Sequence, residues 1–202
     1  MSPADERDSD NANTSLDDGR SQFDRMIAGD LYIADDPRII AASLRAMALT
    51  ESYNATPAAE SALRRQILEE LLGGLGADSE IRAPLQCDYG SNITVGARTF
   101  INFGLVALDV ASITIGDDVQ IGPNVQLLTP THPIDADLRR AKWEAADPIT
   151  IGNNVWLGGG VIVLPGVNIG DDTIVGAGSV VSRDLPSGVV ALGAPARVTR
   201  QL

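Results

Sequence analysis

Small aliphatic residues recur at every sixth position through most of the second half of the chain. The register runs Val95, Ile101, Ala107, slips by two, and resumes at Ile115, Ile121, Leu127. After a break it continues as Ile151, Leu157, Val163, Ile169, Val175 and Val181. A period of six fits neither a lone helix nor an ordinary sheet, and it marks a parallel β-helix. Three hexads make one triangular coil, and stacked coils pair their backbones in parallel around a continuous aliphatic core. The runs that follow the aliphatic residues, such as Gly116-Asp117-Asp118, Gly152-Asn153-Asn154 and Gly170-Asp171-Asp172, suit tight turns that need positive φ. The pattern predicts a mainly β solenoid over residues 76–202, with residues 186–202 closing its open end as a crossing strand or short helix.

Upstream the period changes. Residues 21–75 read as helices. Phe23, Met26 and Ile27 have helical spacing, and Asp36-Pro37 reads as an N-cap with proline at the first helical position. An apolar stripe of Ile39, Ile40, Leu44, Met47 and Ala48 follows. Thr56-Pro57 repeats the capping signal before Leu63, Ile67, Leu68, Leu71 and Leu72, and Gly73-Gly74 stops the helix. Residues 1–20 are polar and acidic without apolar periodicity, which predicts a disordered tail.

Composition narrows the class. Only 4% of residues are aromatic, which agrees with narrow coils whose inward positions take Val, Ile and Leu. The single Cys87 excludes an intrachain disulfide and a cysteine zinc cluster. A net charge of −12 argues against a general nucleic-acid surface. No apolar run is long enough to span a bilayer and no secretory signal is evident, so a cytoplasmic protein is expected, with neither nucleic acid nor membrane as partner. One lysine, Lys142, stands against fourteen arginines, and Asp outnumbers Glu. Two readings of that bias stand: adaptation to a high-salt cytoplasm, where salt screens self-repulsion, or a GC-rich genome. A melting temperature that fails to rise between low and molar KCl removes the first.

The break in the repeat, about residues 129–148, predicts a loop protruding from one face, often the binding face of a solenoid. It carries Thr131-His132-Pro133, and His132 is the only histidine. A lone histidine is a structural residue, a metal ligand or an acid/base. A zinc site needs three or four ligands, which one His and one Cys do not supply, so no metal is expected. Histidine is the natural general base near neutral pH. No Gly-x-Ser-x-Gly nucleophile motif occurs, so a single-step reaction is more economical than a covalent intermediate. Arg183, Arg197 and Arg200 make a basic end on an acidic protein, which suits a phosphate-bearing small ligand or else is solvated surface.

An ordered set of segments resembles the maltose and galactoside O-acetyltransferases. It comprises residues 87–93 (Cys-Asp-Tyr-Gly-Ser-Asn-Ile), Ile101-Asn102-Phe103, Ile121-Gly122-Pro123-Asn124-Val125 and Thr131-His132-Pro133-Ile134-Asp135. Residues 151–159 (Ile-Gly-Asn-Asn-Val-Trp-Leu-Gly-Gly) and Gly193-Ala194-Pro195-Ala196-Arg197-Val198 complete it. The likeness runs from about Phe23 to the end of the chain. The resemblance implies a left-handed parallel β-helix, an exception to the right-handed crossover rule, with an N-terminal helical segment. It further implies a homotrimer with active sites between subunits, acetyl-CoA as donor and a sugar as acceptor. His132 falls on the family's catalytic base and Asn102 on an asparagine that orients the reacting groups. Asp88 and Asp109 fall on acceptor-pocket positions, as does Asp36 or its neighbour Asp35. Trp156, Gly159, Ala177 and Ser182 fall along the CoA arm, and Arg183, Arg197 and Arg200 near its phosphates. Maltose or glucose is the nearest acceptor, with a galactoside or a lipo-oligosaccharide as alternatives. Two competing classes remain: a hexapeptide carbonic anhydrase, which needs a three-histidine zinc site, and a non-catalytic binding solenoid.

Overall fold

A computed structural model describes residues 18–202. Of the acidic tail expected over residues 1–20, residues 1–17 lie outside the described residues.

Three helices precede the solenoid. Helix α1 (Gln22–Ala28) is capped by Ser21, whose hydroxyl accepts from the Asp24 N–H, and ends at Gly29 with φ 76°. Helix α2 (Pro37–Ala55) begins as the sequence indicates: the Asp36 carboxylate accepts from the Arg38 N–H, with Pro37 in the first turn. Helix α3 (Ser61–Leu71) differs from expectation at its start. Thr56 ends α2 instead of capping α3, and Glu60 at the α3 N-cap makes no side-chain cap bond. The stripe on α2 is also displaced. Its buried residues are Ile39, Ala46, Thr50 and Tyr53, whereas Ile40, Leu44 and Met47 are exposed. The small side chains of Ala46 and Thr50 let the helix lie close to the first coil, where the Thr50 hydroxyl sits 3.6 Å from Cys87 Sγ.

The coils build three parallel sheets. The first holds β1 (Gly74–Leu75), β4 (Ile93–Val95), β7 (Ile113–Ile115), β12 (Ile149–Ile151) and β15 (Asn168–Ile169). The second holds β2 (Glu80–Ile81), β5 (Phe100–Ile101), β8 (Gln120–Ile121), β13 (Trp156–Leu157), β16 (Ile174–Val175) and β18 (Val189–Leu192). The third holds β3 (Leu85–Cys87), β6 (Leu105–Leu108), β9 (Gln126–Leu128), β14 (Ile162–Val163) and β17 (Val180–Val181). In the second sheet Ile81, Ile101, Ile121, Leu157, Val175 and Ala191 stack in register, and all are buried. The six-residue register is therefore the inward column of each face. β19 (Arg197–Gln201) pairs antiparallel with β18, so the crossing strand is the form the C-terminal end takes.

Three unlike corners join the sheets. At the Asp/Asn corner, between the first and second sheets, Asp118, Asn154 and Asp172 have φ of 59°, 53° and 59°. Side-chain oxygens there accept main-chain N–H groups of the adjacent coil: Asp117 from Ala97, Asn153 from Asp117, and Asp171 from Asn153. At the glycine corner, between the second and third sheets, Gly122, Gly158 and Gly176 stack. The wide corner, between the third and first sheets, takes up every insertion. It holds the two-residue slip, since Cys87 to Val95 and Ala107 to Ile115 each span eight positions instead of six. The protruding arm also leaves there. Its strands β10 (Pro130–Thr131) and β11 (Ala145–Ala146) pair antiparallel around a short helix α4 (Ala136–Arg140), capped by Asp135.

Close stacking makes glycine obligatory at Gly158, where an added Cβ lies 2.5 Å from Ala177 N. Gly158→Ala is expected to cost about 1–3 kcal/mol, as overpacking does. The readout is the urea unfolding midpoint. Gly74→Ala, whose added Cβ meets only the Thr94 side chain, at 3.7 and 3.9 Å, should leave it almost unchanged.

Candidate active site

The wide corner is organised by one buried carboxylate. Asp109 follows β6 with no exposed surface. Its Oδ1 accepts the N–H of Asp88 at 3.0 Å and of Tyr89 at 2.9 Å, and its Oδ2 accepts the N–H of Asn92 at 3.2 Å. Burial pushes its pKa up against the opposing pull of these N–H groups. Within this chain the oxygens of Asp109, a residue expected at the acceptor pocket, hold the 88–92 turn. Asp36, also expected there, has intrachain partners of its own. Its carboxylate is spent on the N–H groups of Arg38 and Phe23, 2.8 and 3.1 Å away. The neighbouring Asp35 is exposed.

Asp88 is half-buried on that turn. Burial, then the carboxylates of Asp109 and Glu144, push its pKa up to about 6. The same surroundings raise two neighbours, the Tyr89 phenol to about 12 and, mainly by burial, the Cys87 thiol to about 11. An acid whose pKa is higher folded than unfolded holds its proton more tightly in the folded state. Stability therefore falls as pH rises from about 4 to about 6 and stays lower above that. Asp88→Asn removes this loss. It is expected to add about 1–2 kcal/mol at pH 7.5, after allowance for partial exposure, and nothing at pH 4. Thermal melts at the two pH values measure it, and an equal change at both would show that Asp88 is not raised.

His132 is exposed, one residue beyond β10 at the base of the arm. The arm is fixed locally by Arg139, whose Nη1 donates to the Pro133 and Ile134 carbonyls at 2.8 and 2.9 Å. Its return strand meets the N-terminal segment. Tyr32 and Glu144 exchange main-chain hydrogen bonds at 3.0 and 2.9 Å, and Tyr32 Oη donates to Glu144 Oε2 at 3.2 Å. Neither Tyr32 nor Glu144 stands out in the periodicity, because each lies in a connecting segment.

The other expected residues sort onto separate corners. Asn102, half-buried, is at the glycine corner, with its Oδ1 accepting the Phe103 N–H at 2.8 Å. Gly159 and Ala177 are on the same corner, tied together by the hydrogen bond from the Gly178 N–H to the Gly159 carbonyl. Trp156 projects outward from β13 with 55% of its surface exposed. Ser182 and Arg183 follow β17 at the wide corner, and Arg197 and Arg200 are exposed on β19. Within one chain, His132, Asp88, Ser182 and Arg183 therefore share one edge of the third sheet, while Asn102, Gly159 and Ala177 share the other. Among the described residues no group of three or more His, Cys, Asp or Glu is arranged to hold a metal ion.

Two family patterns match. Residues 25–76 match the maltose acetyltransferase hexapeptide capping motif, and residues 148–183 match the bacterial transferase hexapeptide of six repeats. The crystal structure of a maltose O-acetyltransferase from Clostridium difficile 630 superposes with a TM-score of 0.89 at 42% identity, covering 91% of this chain and 98% of that one. The chain belongs to the maltose and galactoside O-acetyltransferase family. A galactoside acetyltransferase solved in complex with coenzyme A superposes with a TM-score of 0.87 at 38% identity, covering 90% of this chain and 91% of that one. Nodulation protein L of Rhizobium meliloti (strain 1021) is 49% identical over 179 residues, covering 89% of this chain and 98% of the relative. The parallel β-helix expected from the six-residue period is thus the fold of a family of acetyltransferases. No helix of the described residues is long and apolar enough to cross a membrane.

Proposed function

We propose that the protein transfers the acetyl group of acetyl-CoA to a hydroxyl of a sugar, with His132 as general base. The observation that carries this reading is the exposed imidazole of the only histidine, at the base of an arm, on a fold shared with an acetyltransferase that holds coenzyme A. His132 takes the proton of the acceptor hydroxyl as that oxygen attacks the thioester carbonyl carbon. The C–S bond then breaks, and His132 returns the proton to the departing sulfur. Asn102 orients the reacting groups, and main-chain N–H groups beside the carbonyl oxygen stabilise its developing charge. Asp88 takes acceptor hydroxyls, two at once where geometry allows.

The glycine corner suits the arm of acetyl-CoA. Added Cβ atoms at Gly160 and Gly178 would project into open space, with no atom within 4 Å, so the main chain beside Gly159 and Ala177 is left uncovered. Trp156 flanks it. Arg197 and Arg200, with Arg183 across the sheet, supply cations for the phosphates.

The split between the two edges of the third sheet supports a homotrimer. The two edges lie at opposite ends of β3, β6, β9, β14 and β17. Packing the wide corner of one copy against the glycine corner of the next joins His132 to Asn102, Gly159 and Ala177. The acceptor is a maltose- or glucose-like sugar, with a galactoside or lipo-oligosaccharide as the alternative.

The test is thiol release from acetyl-CoA with glucose, maltose, galactosides and chitin oligosaccharides, in low and molar KCl. Sugar-dependent release is expected and ranks the acceptors. No release with any sugar in either salt overturns the reading in favour of a binding solenoid.

A further inference from the structure

The arm that carries His132 is held by the N-terminal segment as well as by its own β ribbon. Tyr32, 1% exposed, pairs with Glu144 through both main-chain bonds and its hydroxyl. One residue away, Trp143 has the guanidinium of Arg25 over its ring at 5.7 Å. Arg25 belongs to α1 and is 2% exposed. Its Nε donates to the Leu31 carbonyl at 2.7 Å, and its Nη1 is 2.9 Å from Asp18. The segment is mounted on a small core of its own. Tyr32 and Ile39 pack with Tyr89, joined by Phe23, Met26, Ala42 and Val110. Tyr89 and Val110 belong to the wide corner, so the segment bridges the corner from which the arm springs and the strand by which it returns.

We propose that the segment from Asp18 to Tyr32 is a clasp that sets the position of the His132 arm, with Tyr32 and Arg25 as positioning residues acting through Glu144 and Trp143. This rests on His132 as the base. The outgoing strand β10 leads directly into His132, and β11 is its hydrogen-bonded partner. Displacing the return strand therefore displaces the imidazole. The buried Tyr32 phenol, beside the Glu144 carboxylate, keeps its proton throughout the working pH range, its pKa raised by burial and by that charge. It is a permanent donor.

The experiment uses Tyr32→Phe, which removes one hydroxyl and leaves the main-chain bridge. Hydrogen exchange of the amides in residues 129–148 is measured on the full chain, beside kcat and KM. Loss of a hydrogen bond to a charged group raises the opening of the arm about tenfold, so arm exchange is expected to quicken about tenfold. The value of kcat should fall by a similar factor, with the acetyl-CoA KM unchanged. Glu144→Gln keeps an acceptor for the phenol and should stay within about twofold of wild type in arm exchange. Glu144→Ala should match Tyr32→Phe, and the double variant should be no worse than either single change, as expected of one shared interaction. Arm exchange unchanged in Tyr32→Phe overturns the clasp, whatever the activity. Quickened exchange with kcat unchanged overturns its positioning role. If the wild-type protein transfers no acetyl group, the reading of His132 fails by itself, and the positioning role with it, while exchange still decides whether the clasp holds the arm.

Discussion

His132→Ala is expected to lower kcat about 10²–10⁴-fold while leaving the melting temperature unchanged. The size is that of a positioned proton acceptor removed from a transfer step. The unchanged stability follows from the structure. The imidazole is exposed at the base of the arm, so its loss opens no cavity in the aliphatic core. The KM for acetyl-CoA should hold, because the proposal seats its arm at the glycine corner, away from His132 within the chain. Stopped assays of thiol release, with melting curves on the same preparations, measure all three. A loss of activity that tracks a loss of melting temperature would instead make His132 a structural residue. Full activity in the variant would remove it from the chemistry altogether.

The fold was legible to the extent that a repeating geometry repeats its chemistry. Each coil offers equivalent inward positions, so Ile101, Ile121 and Leu157 share a column and announce it by spacing. The slip after Ala107 and the break after Leu127 are one phenomenon, since both fall at the wide corner, where the chain is free to bulge without disturbing the sheets. The helices were less legible because they answer to a surface and not to a period. Helix α2 turns Ala46 and Thr50 inward for close approach to the first coil, and hydropathy chooses Ile40, Leu44 and Met47 instead. Site residues divide along the same line. His132 stands out as the only histidine, placed in the break of the repeat, and Trp156 as one of two tryptophans in an aliphatic solenoid, whereas Asn102 enters only through the family resemblance. Tyr32 and Glu144 meet across 112 positions in sequence, and nothing local to either residue marks the other. Asp36 and Asp109 show a further limit. Their main-chain contacts, to Arg38 and Phe23 and to Asp88, Tyr89 and Asn92, join separate segments and leave no mark in the spacing.

Asp109→Ala is expected to cost about 3–5 kcal/mol, the largest stability loss of any change discussed. Three main-chain donors, on Asp88, Tyr89 and Asn92, end on the two oxygens of this fully buried side chain. Alanine leaves all three without a partner, and each buried, unpaired donor costs about 1–3 kcal/mol, less than additively because the turn relaxes. Asp109→Asn is isosteric and milder. Its carbonyl oxygen keeps the bonds from Asp88 and Tyr89, but its amide nitrogen then faces the Asn92 N–H, donor against donor, for about 1–3 kcal/mol. Urea unfolding of the three proteins at one pH gives the ordering wild type, Asn, Ala. The distinction from a ligand role is kinetic. At a temperature where Asp109→Asn is fully folded, its acceptor KM should stay near that of wild type, whereas Asp88→Asn should raise the acceptor KM without losing stability at pH 7.5. The reverse assignment, with Asp109→Asn stable and weak in acceptor binding, would return Asp109 to the pocket. The corner would then have to open in the assembled enzyme for its carboxylate to reach a sugar.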